Sequence, residues 1–572
     1  MKRASGRTAM PDKKPLRDFL QKLPGSDTGQ ALAVLLFAVL CITLPFVNKA
    51  FHLDDTFFVR LAQQKLTHPL ALGLPDHGYE GNFFSLYLDT HPPLLTSYIS
   101  LLIRVIGSAS EEGLHLGFIV FPALAAVSMF FLARRFTGSP LLAALLLVVT
   151  PGFMVMSQSV MTDIPALSLW LAAIAAYVFG VDRENNRLLI LAGLCLSLAV
   201  LTTYQSFSLL PLLLVYALLQ GRLRIKYMLP LAAGLAAFAA IIIYYRTATG
   251  HPPKLSYSIG LNLAPAFLAN KVIATISAIG GAIVFPFILA AGMLKGRKEY
   301  LAFAALIAAL LLFFLLKISS GEYTWASAVL QAIFCGAGLL AIYRFAISAS
   351  DAAVGHFRSQ GDRDNIFLIL WIAGVLLYVV ALLPYASTRY LIPLFPPVIL
   401  MFVRYAETIL GDGKTGKYFA LLAIVLTAAA GFAVSIADYR LAGVYRSFAS
   451  GYSRQLRSGD QRIWFAGEFG LRYYLEENSG RYLTKDDNSP APGDHVVLSH
   501  GLIAYFISDE LRNRMQLEQR IDYPGAWPFR VEDPGSQAGF YDQFHGNLPY
   551  SLSSGPVESI DVYTVRAAPD RS

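Results

Sequence analysis

ALAVLLFAVLCITLPFVNKAFHLDD, Ala31–Asp55, decides how this chain is read. Its apolar run, Ala31–Val47, is long enough for a membrane helix once tilt and flanking residues are counted. No small-residue cleavage site follows it, and Lys49-Ala50-Phe51-His52 is a poor substitute, so the run reads as an uncleaved first transmembrane helix. Ahead of it lies a polar, basic segment, residues 1–30, with Lys2, Arg3, Arg7, Lys13, Lys14, Arg17 and Lys22. Behind it stands an acidic pair, Asp54-Asp55. Carboxylates at a membrane are costly unless they face water or a partner, so a pair placed there is a functional-site expectation.

Composition extends the membrane reading to most of the chain. Of 572 residues, 55% are hydrophobic and 15% charged, with a mean hydropathy of +0.52. A soluble domain carries about 25% charged residues. The net charge of +8 does not indicate nucleic acid, because the basic residues cluster in short loops where they act as topology signals. Cys41, Cys195 and Cys335 all fall in apolar segments, as small buried residues rather than disulfides, ligands or nucleophiles.

About 13 apolar segments follow one another: Ala31–Val47, Leu116–Ala133, Leu141–Met156, Ile164–Val181, Leu188–Leu201, Phe207–Leu219, Tyr227–Tyr244, Val272–Leu294, Tyr300–Leu316, Ala326–Ile342, Ile366–Leu383, Leu391–Val403 and Tyr418–Ala437. Leu94–Ile106 is interrupted by Ser97, Ser100 and Arg104; if it crossed, every later loop would invert. Charge decides against that. With this helix juxtamembrane or re-entrant, Arg134-Arg135, the 182–187 loop, Arg222 to Lys226, Lys295 to Lys298, Arg344 to Arg363 and Arg404 to Lys417 all share the side of the basic N-terminus. The N-terminus is therefore expected in the cytoplasm. The acidic pair, the 89–93 cluster, Thr162-Asp163, residues 250–257 and residues 387–390 fall outside it.

From Asp438 onward no spanning segment remains, and charged, Gly, Pro and aromatic residues dominate. Strands are expected at Ile463–Ala466 and His495–Ser499, and amphipathic helices at Phe469–Asn478 and Leu502–Leu517, with loop or edge strands from Gly535. The expected fold is thus an all-α polytopic membrane protein with a small C-terminal α/β extracytoplasmic domain. Its divisions are a basic tail, 1–30, a membrane domain, 31–437, whose first outer loop is 48–115, and an outer domain, 438–572.

Five outer clusters can carry chemistry. Asp54 precedes the helical pattern Phe57, Phe58, Leu61, Ala62 and Leu66, so it can cap that helix, act as a general base, or both. Asp89-Thr90-His91-Pro92-Pro93 starts a helix with its prolines, yet Asp89 and His91 also place an acid and a base at the same membrane face. Thr162 or Asp163 can cap the helix that carries Pro165 in its first turn. Arg389-Tyr390 sits where two helices meet the surface: either an interfacial anchor or a phosphate ligand. His251, in Gly250-His251-Pro252-Pro253-Lys254, can bind a metal with Asp89. Glu468 and Asp486-Asp487 read as surface charges.

The ordered set of acidic pair, Pro-Pro-Leu helix, Thr-Asp-x-Pro and Arg-Tyr-Leu-x-Pro resembles the GT-C membrane glycosyltransferases. The likeness runs over roughly Ala31 to Val403, toward the lipid A aminoarabinose and galacturonic acid transferases and the protein O-mannosyltransferases. The resemblance implies an inverting transfer from a polyprenyl-phosphate sugar to a lipid, glycan or protein acceptor at the outer face of a bacterial inner membrane, by a monomer. It makes Asp54 the catalytic residue, with Asp55 beside it positioning donor or acceptor. Asp89, His91, Asp163, Lys254, Arg389 and Tyr390 would bind substrate, Arg389 at the donor phosphate. A divalent metal ion at His251 and Asp89 is the cofactor the chain suggests. Phe57 stands where the aminoarabinose branch has Arg, and the His251 loop lacks that branch's pattern, which points away from aminoarabinose as the sugar. No Gly-rich phosphate loop on a soluble βαβ unit is present, in keeping with a lipid-linked donor. The alternative is a polyprenyl-lipid flippase, which would want charged or broken helices at the membrane midplane.

Overall fold

The computed structural model describes residues 28–79, 81–87, 91–253, 264–283, 294, 296–354, 359–409, 414–456, 462–501 and 507–567. Asp89 and Lys254 lie outside the described residues. Among the described residues, nine helices are long and apolar enough to span a membrane: Thr28–Phe46, Glu111–Phe136, Asp163–Asp182, Ile225–Thr249, Arg297–Leu316, Trp325–Asp351, Gln360–Leu382, Arg389–Thr408 and Tyr418–Tyr452. The chain is a multi-pass membrane protein with a mixed α/β region at its C-terminal end.

Of the other four expected spans, three are helical but short and the fourth is described only in part. Leu141–Met156 breaks into Pro140–Val149 and Pro151–Met156, because a residue before proline is pushed out of the helical region and Thr150 is extended at ψ 138°. Asn186–Thr202 and Leu209–Leu219 reach 17 and 11 residues. The segment expected from Val272 forms Pro265–Gly281, and residues 284–293 lie outside the described ones. Leu94–Ile106, only 13 residues long, stops at Gly107 in the left-handed region (φ 85°). It lies along helix Asp55–Thr67: Lys65 Nζ reaches Pro93 O (3.3 Å) and Ser97 Oγ (3.0 Å), and Arg104 donates to Leu66 O (2.9 Å).

Helix packing inside lipid has no hydrophobic drive, so small residues that let backbones approach are decisive. Helices Pro265–Gly281 and Trp325–Val354 meet at Gly280 and Gly338, where a Cβ would run into the Phe334 and Ile276 carbonyls respectively. At one end of the bundle Arg135 joins three spans. It donates to Asp182 (2.5 Å) and, with two nitrogens, to Asp364 (2.9 and 3.0 Å), while Tyr216 also donates to Asp182 (2.7 Å). Arg404 stands 3.6 Å from Asp364, and Glu184 takes Arg222 and Lys226. Asp163 and Asp182 open and close one helix, so this network and the Asp54–Arg389 pair, which lies within electrostatic reach of Asp163, sit at opposite ends of that helix.

The C-terminal region holds a five-stranded sheet in the order Arg481–Tyr482, Ile463–Ala466, His495–Ser499, Glu558–Val565, Met515–Tyr523. The first three strands run parallel and the remaining pairings are antiparallel. The strands at 463 and 495 and the helix Phe469–Glu477 fall where the sequence places them. Three expectations are corrected. The helix expected at Leu502–Leu517 is confined, among the described residues, to Asp509–Arg514, capped by Ser508; Met515–Tyr523 is instead drawn into the sheet by Glu558–Val565. Glu558–Val565 is central in that sheet rather than an edge. Glu468 is not a surface charge: it is buried, accepting from Tyr482 Oη (2.5 Å) and Arg472 (3.1 Å). The change of composition at Asp438 falls inside one continuous helix, Lys414–Leu456, which links the span to the sheet.

Gly338→Ala should force the two helices apart. Overpacking of this kind costs about 1–3 kcal/mol, read as a lower melting temperature of the protein in detergent. An unchanged melting temperature would show that this close approach is not needed.

Candidate active site

Asp54 occupies the N-cap position of helix Asp55–Thr67, but its side chain makes no capping hydrogen bond. The turn before it is strained, since Leu53 sits at φ 49°, a region that disfavours side chains with a Cβ. That turn aims the Asp54 carboxylate at the guanidinium of Arg389, with Oδ2 2.6 Å from the nearer terminal nitrogen. Arg389 opens the 3₁₀ turn Arg389–Leu394 that leads into Phe395–Ile409. Its guanidinium lies over the Tyr390 ring (5.1 Å) and donates to Tyr390 Oη (3.3 Å), which is 2.9 Å from Tyr385 Oη. The same nitrogen that meets Asp54 is 3.5 Å from Met161 Sδ. Arg389 Nε is buried with no hydrogen-bond partner. Asp54 keeps 28% of its side chain exposed and Arg389 keeps 11%, so the pair is reached mainly from the carboxylate's side.

Burial by itself would raise the Asp54 carboxyl; the Arg389 guanidinium outweighs it and holds the group below its ordinary range. Asp54 is therefore ionised at neutral pH. His91 packs edge-on against Phe58 (5.2 Å) within electrostatic reach of Asp54 and Arg389. Burial lowers its imidazole to about 4, more than Asp54 raises it, so the ring is neutral at pH 7 and offers no cation. Asp163, first residue of its span, lies within electrostatic reach of Arg389 and Asp54, and Thr162 before it makes no side-chain cap bond.

Asp55 points the other way, into the protein. It is fully buried; Oδ1 accepts from Val160 N (2.7 Å) and Oδ2 from His52 N (3.2 Å). Burial raises it to about 7 against the pull of Lys49 and these two donors. Its geometry fixes the turn that presents Asp54. His251 is half-buried, with Nδ1 2.9 Å from its neighbour Pro252 O, and among the described residues belongs to no group of three metal-type ligands. Asp54, His91, Asp163, Arg389 and Tyr390 thus share one place, while Asp55 supports it from behind.

Sequence reasoning missed the layer beneath. Lys49 Nζ is fully buried, 2.5 Å from Asp438 Oδ2 and 3.1 Å from Ser159 Oγ. Tyr541 donates to Asp438 Oδ1 (2.8 Å), and His52, lowered to about 4 by burial, stands edge-on to the Tyr541 ring (5.5 Å). Lys49 carried a usable signal: it is a basic residue on the side where the charge division leaves few. Asp438 and Tyr541 carried none, because their partners are hundreds of residues away.

Three metal-type ligands do gather in the C-terminal region. His545 Nδ1 is 2.9 Å from both Glu532 Oε2 and Asp542 Oδ1, and Nε2 is 3.0 Å from Gly501 O. Burial disfavours the charged ring, but Glu532 and Asp542 outweigh it and push His545 to about 11. Protonated on both nitrogens, the ring forms an ion triad with the two carboxylates, Nδ1 bonding to Asp542 beside Glu532 while Nε2 meets Gly501 O.

Lys49→Met strands the Asp438 charge in the interior. Removing one partner of a buried pair costs about 3–5 kcal/mol, whereas replacing both by apolar groups is close to neutral. The melting temperature of Lys49→Met should fall well below that of Lys49→Met/Asp438→Leu; equal melting would mean that the pair is not desolvated.

Residues 90–245 match the family model described as dolichyl-phosphate-mannose-protein mannosyltransferase. No curated protein sequence is significantly similar. Among solved structures, the Archaeoglobus fulgidus oligosaccharyltransferase in its apo form is 13% identical at a TM-score of 0.47, covering 81% of this chain; the match spans 65% of that enzyme's length. ArnT from Cupriavidus metallidurans bound to undecaprenyl phosphate is 13% identical at a TM-score of 0.42, covering 82% of this chain and 92% of its own. The S. cerevisiae protein O-mannosyltransferase Pmt1-Pmt2 complex bound to the sugar donor is 14% identical at a TM-score of 0.31, covering 46% and 40%. At such identities the site is read from this chain's own residues. His91 and Asp163 fall inside the matched segment, Asp54 and Arg389 outside it. Residues 90–245 are thus similar to a mannosyltransferase family, and in the order of its motifs the chain resembles the GT-C membrane glycosyltransferases.

Proposed function

We propose that this chain is an inverting glycosyltransferase that moves a sugar from a polyprenyl-phosphate donor to a hydroxyl of a lipid, glycan or protein acceptor. The reaction lies at the outer face of a bacterial cytoplasmic membrane, with the N-terminus inside and the C-terminal region outside. The observation that carries the reading is the Asp54–Arg389 pair: an ionised carboxylate, partly exposed, and a phosphate-competent guanidinium 2.6 Å from it. The family match over residues 90–245 supports it, and ArnT's printed ligand, undecaprenyl phosphate, is the donor chemistry we carry over.

In this reading Asp54 takes the proton of the acceptor hydroxyl as that oxygen attacks the anomeric carbon. The bond from the anomeric carbon to the phosphate oxygen breaks, and polyprenyl phosphate leaves with the electron pair. Arg389, whose Nε is an unpartnered buried donor, stabilises the leaving phosphate. One displacement with one base inverts the anomeric centre, unlike the two-carboxylate retaining mechanism. Arg389 also couples the two substrates. While it faces Asp54 alone it makes the carboxylate a weak base; an anionic phosphate engaging it relieves that hold, so Asp54 becomes a better base once donor is bound. Asp163 and Tyr390 hold the guanidinium in place, and the neutral His91 offers a hydrogen bond. Asp89 and Lys254 complete the substrate-binding set by sequence position.

The test is sugar transfer by purified protein in lipid, offered pooled polyprenyl-phosphate sugars. Asp54→Asn should lower kcat by about 10²–10⁴-fold, the usual contribution of a general base, with folding retained. Equal product from both would remove Asp54 from the chemistry, and lipid movement across the bilayer without product would favour the flippase. The pH profile gives a second check. The Asp54 carboxyl lies below its ordinary value, so the acid limb of kcat/KM should lie low. Arg389→Gln removes the depressing charge and leaves burial in control, so the limb should move to higher pH; an unmoved limb would contradict the assignment.

A further inference from the structure

The Asp54–Arg389 pair is assembled from residues far apart in sequence, and a four-residue stretch of the C-terminal region touches the supports of both. Phe540 O accepts Thr388 N (2.9 Å) and Ser387 Oγ (3.1 Å), the two residues immediately before Arg389. Ser387 Oγ in turn accepts Arg389 N (3.3 Å). Gln543 continues the seam as a two-way bridge: its backbone N–H donates to Ala386 O (3.0 Å) and its Oε1 accepts from Ala386 N (2.8 Å). Between these contacts the Tyr541 side chain runs to the other half of the site. Its hydroxyl donates to Asp438 Oδ1, whose second oxygen holds Lys49, five residues before Asp54; its ring faces His52. Tyr541 is 3% exposed and Phe540 0%, so neither contact is shared with water.

The stretch is itself anchored. Phe540 N donates to Val531 O (2.8 Å), Tyr541 N to Glu532 Oε1 (2.6 Å), and Asp542 belongs to the His545 ion triad that ties the turn to Gly501. A segment fixed on its own sheet region and bonded to both Asp54's approach and Arg389's approach sets the distance between them. We propose that Phe540–Gln543 is a clamp belonging to the active site, with Tyr541 and Gln543 as positioning residues that hold Asp54 and Arg389 in register, so that the C-terminal region completes the membrane domain's site. The proposal rests on the glycosyltransferase reading for its activity arm only; the clamp itself is a statement about what holds the pair together.

Tyr541→Phe keeps the ring against His52 and removes only the hydroxyl. Two readouts are taken on the full-length protein in lipid: amide hydrogen exchange of residues 50–58 and 386–389, and transfer kinetics with polyprenyl-phosphate sugar. With the clamp loosened, both segments should exchange faster together. The value of kcat should fall about tenfold to a hundredfold, as misplacement of a reacting group does, while the KM for donor stays near wild type. Gln543→Leu, on the less buried side of the seam, should give the same paired change and serves if Tyr541→Phe fails to fold. Unchanged exchange in both segments overturns the clamp, whatever kcat does. So does faster exchange confined to 386–389, because the Asp54 side would then be held independently. Faster exchange in both segments with no sugar transfer even by wild type upholds the clamp and sinks the catalytic reading instead.

Discussion

A carboxylate and a guanidinium 2.6 Å apart, contributed by residues 335 positions apart, are the contact on which the outer end of this molecule is built. Such a pair is a poor device for stability, because removing two charges from water offsets most of their attraction. Here it is also surrounded by expense. Leu53 is held in the left-handed region to aim Asp54, Asp55 is buried behind it, and a second ion pair, Lys49–Asp438, lies wholly inside the protein. Charge and strain are thus concentrated around one partly exposed carboxylate.

The two ends of the bundle use the same chemistry for different purposes. At the end opposite the site, Arg135 engages Asp182 and Asp364 with all three of its nitrogens and ties span ends together. At the site, Arg389 gives one nitrogen to Asp54, another to Tyr390, and leaves Nε without a partner. The first arginine is complete and structural. The second has donor capacity left for a ligand.

Much of this was legible in the sequence, and the reason is local. Hydropathy locates helices because each must satisfy its own backbone in lipid, so among the described residues each expected apolar segment falls largely on helix. Charge sorted the loops because each short loop carries its own signal, and so Asp54, His91, Asp163 and Arg389 were placed on one side. Lengths were less legible: Thr150-Pro151 broke one expected span, and a 3₁₀ turn at Tyr204–Ser208 shortened another. What sequence could not give was pairing. Met515–Leu517 reads as the end of a helix until Glu558–Val565 bonds to it, and Glu468 reads as a surface acid until Arg472 and Tyr482 enclose it. Asp438 and Tyr541 were invisible for the same reason, since their role exists only through Lys49.

A double-mutant cycle on transfer from a polyprenyl-phosphate sugar tests the central claim most directly: Asp54→Asn, Arg389→Gln and the two combined, compared as kcat/KM. Groups that act as a unit are strongly non-additive. If Asp54 and Arg389 form one site, the double variant should be scarcely worse than the more damaged single variant. Losses that multiply would mean that the two residues act independently, and would contradict a single site built on their contact.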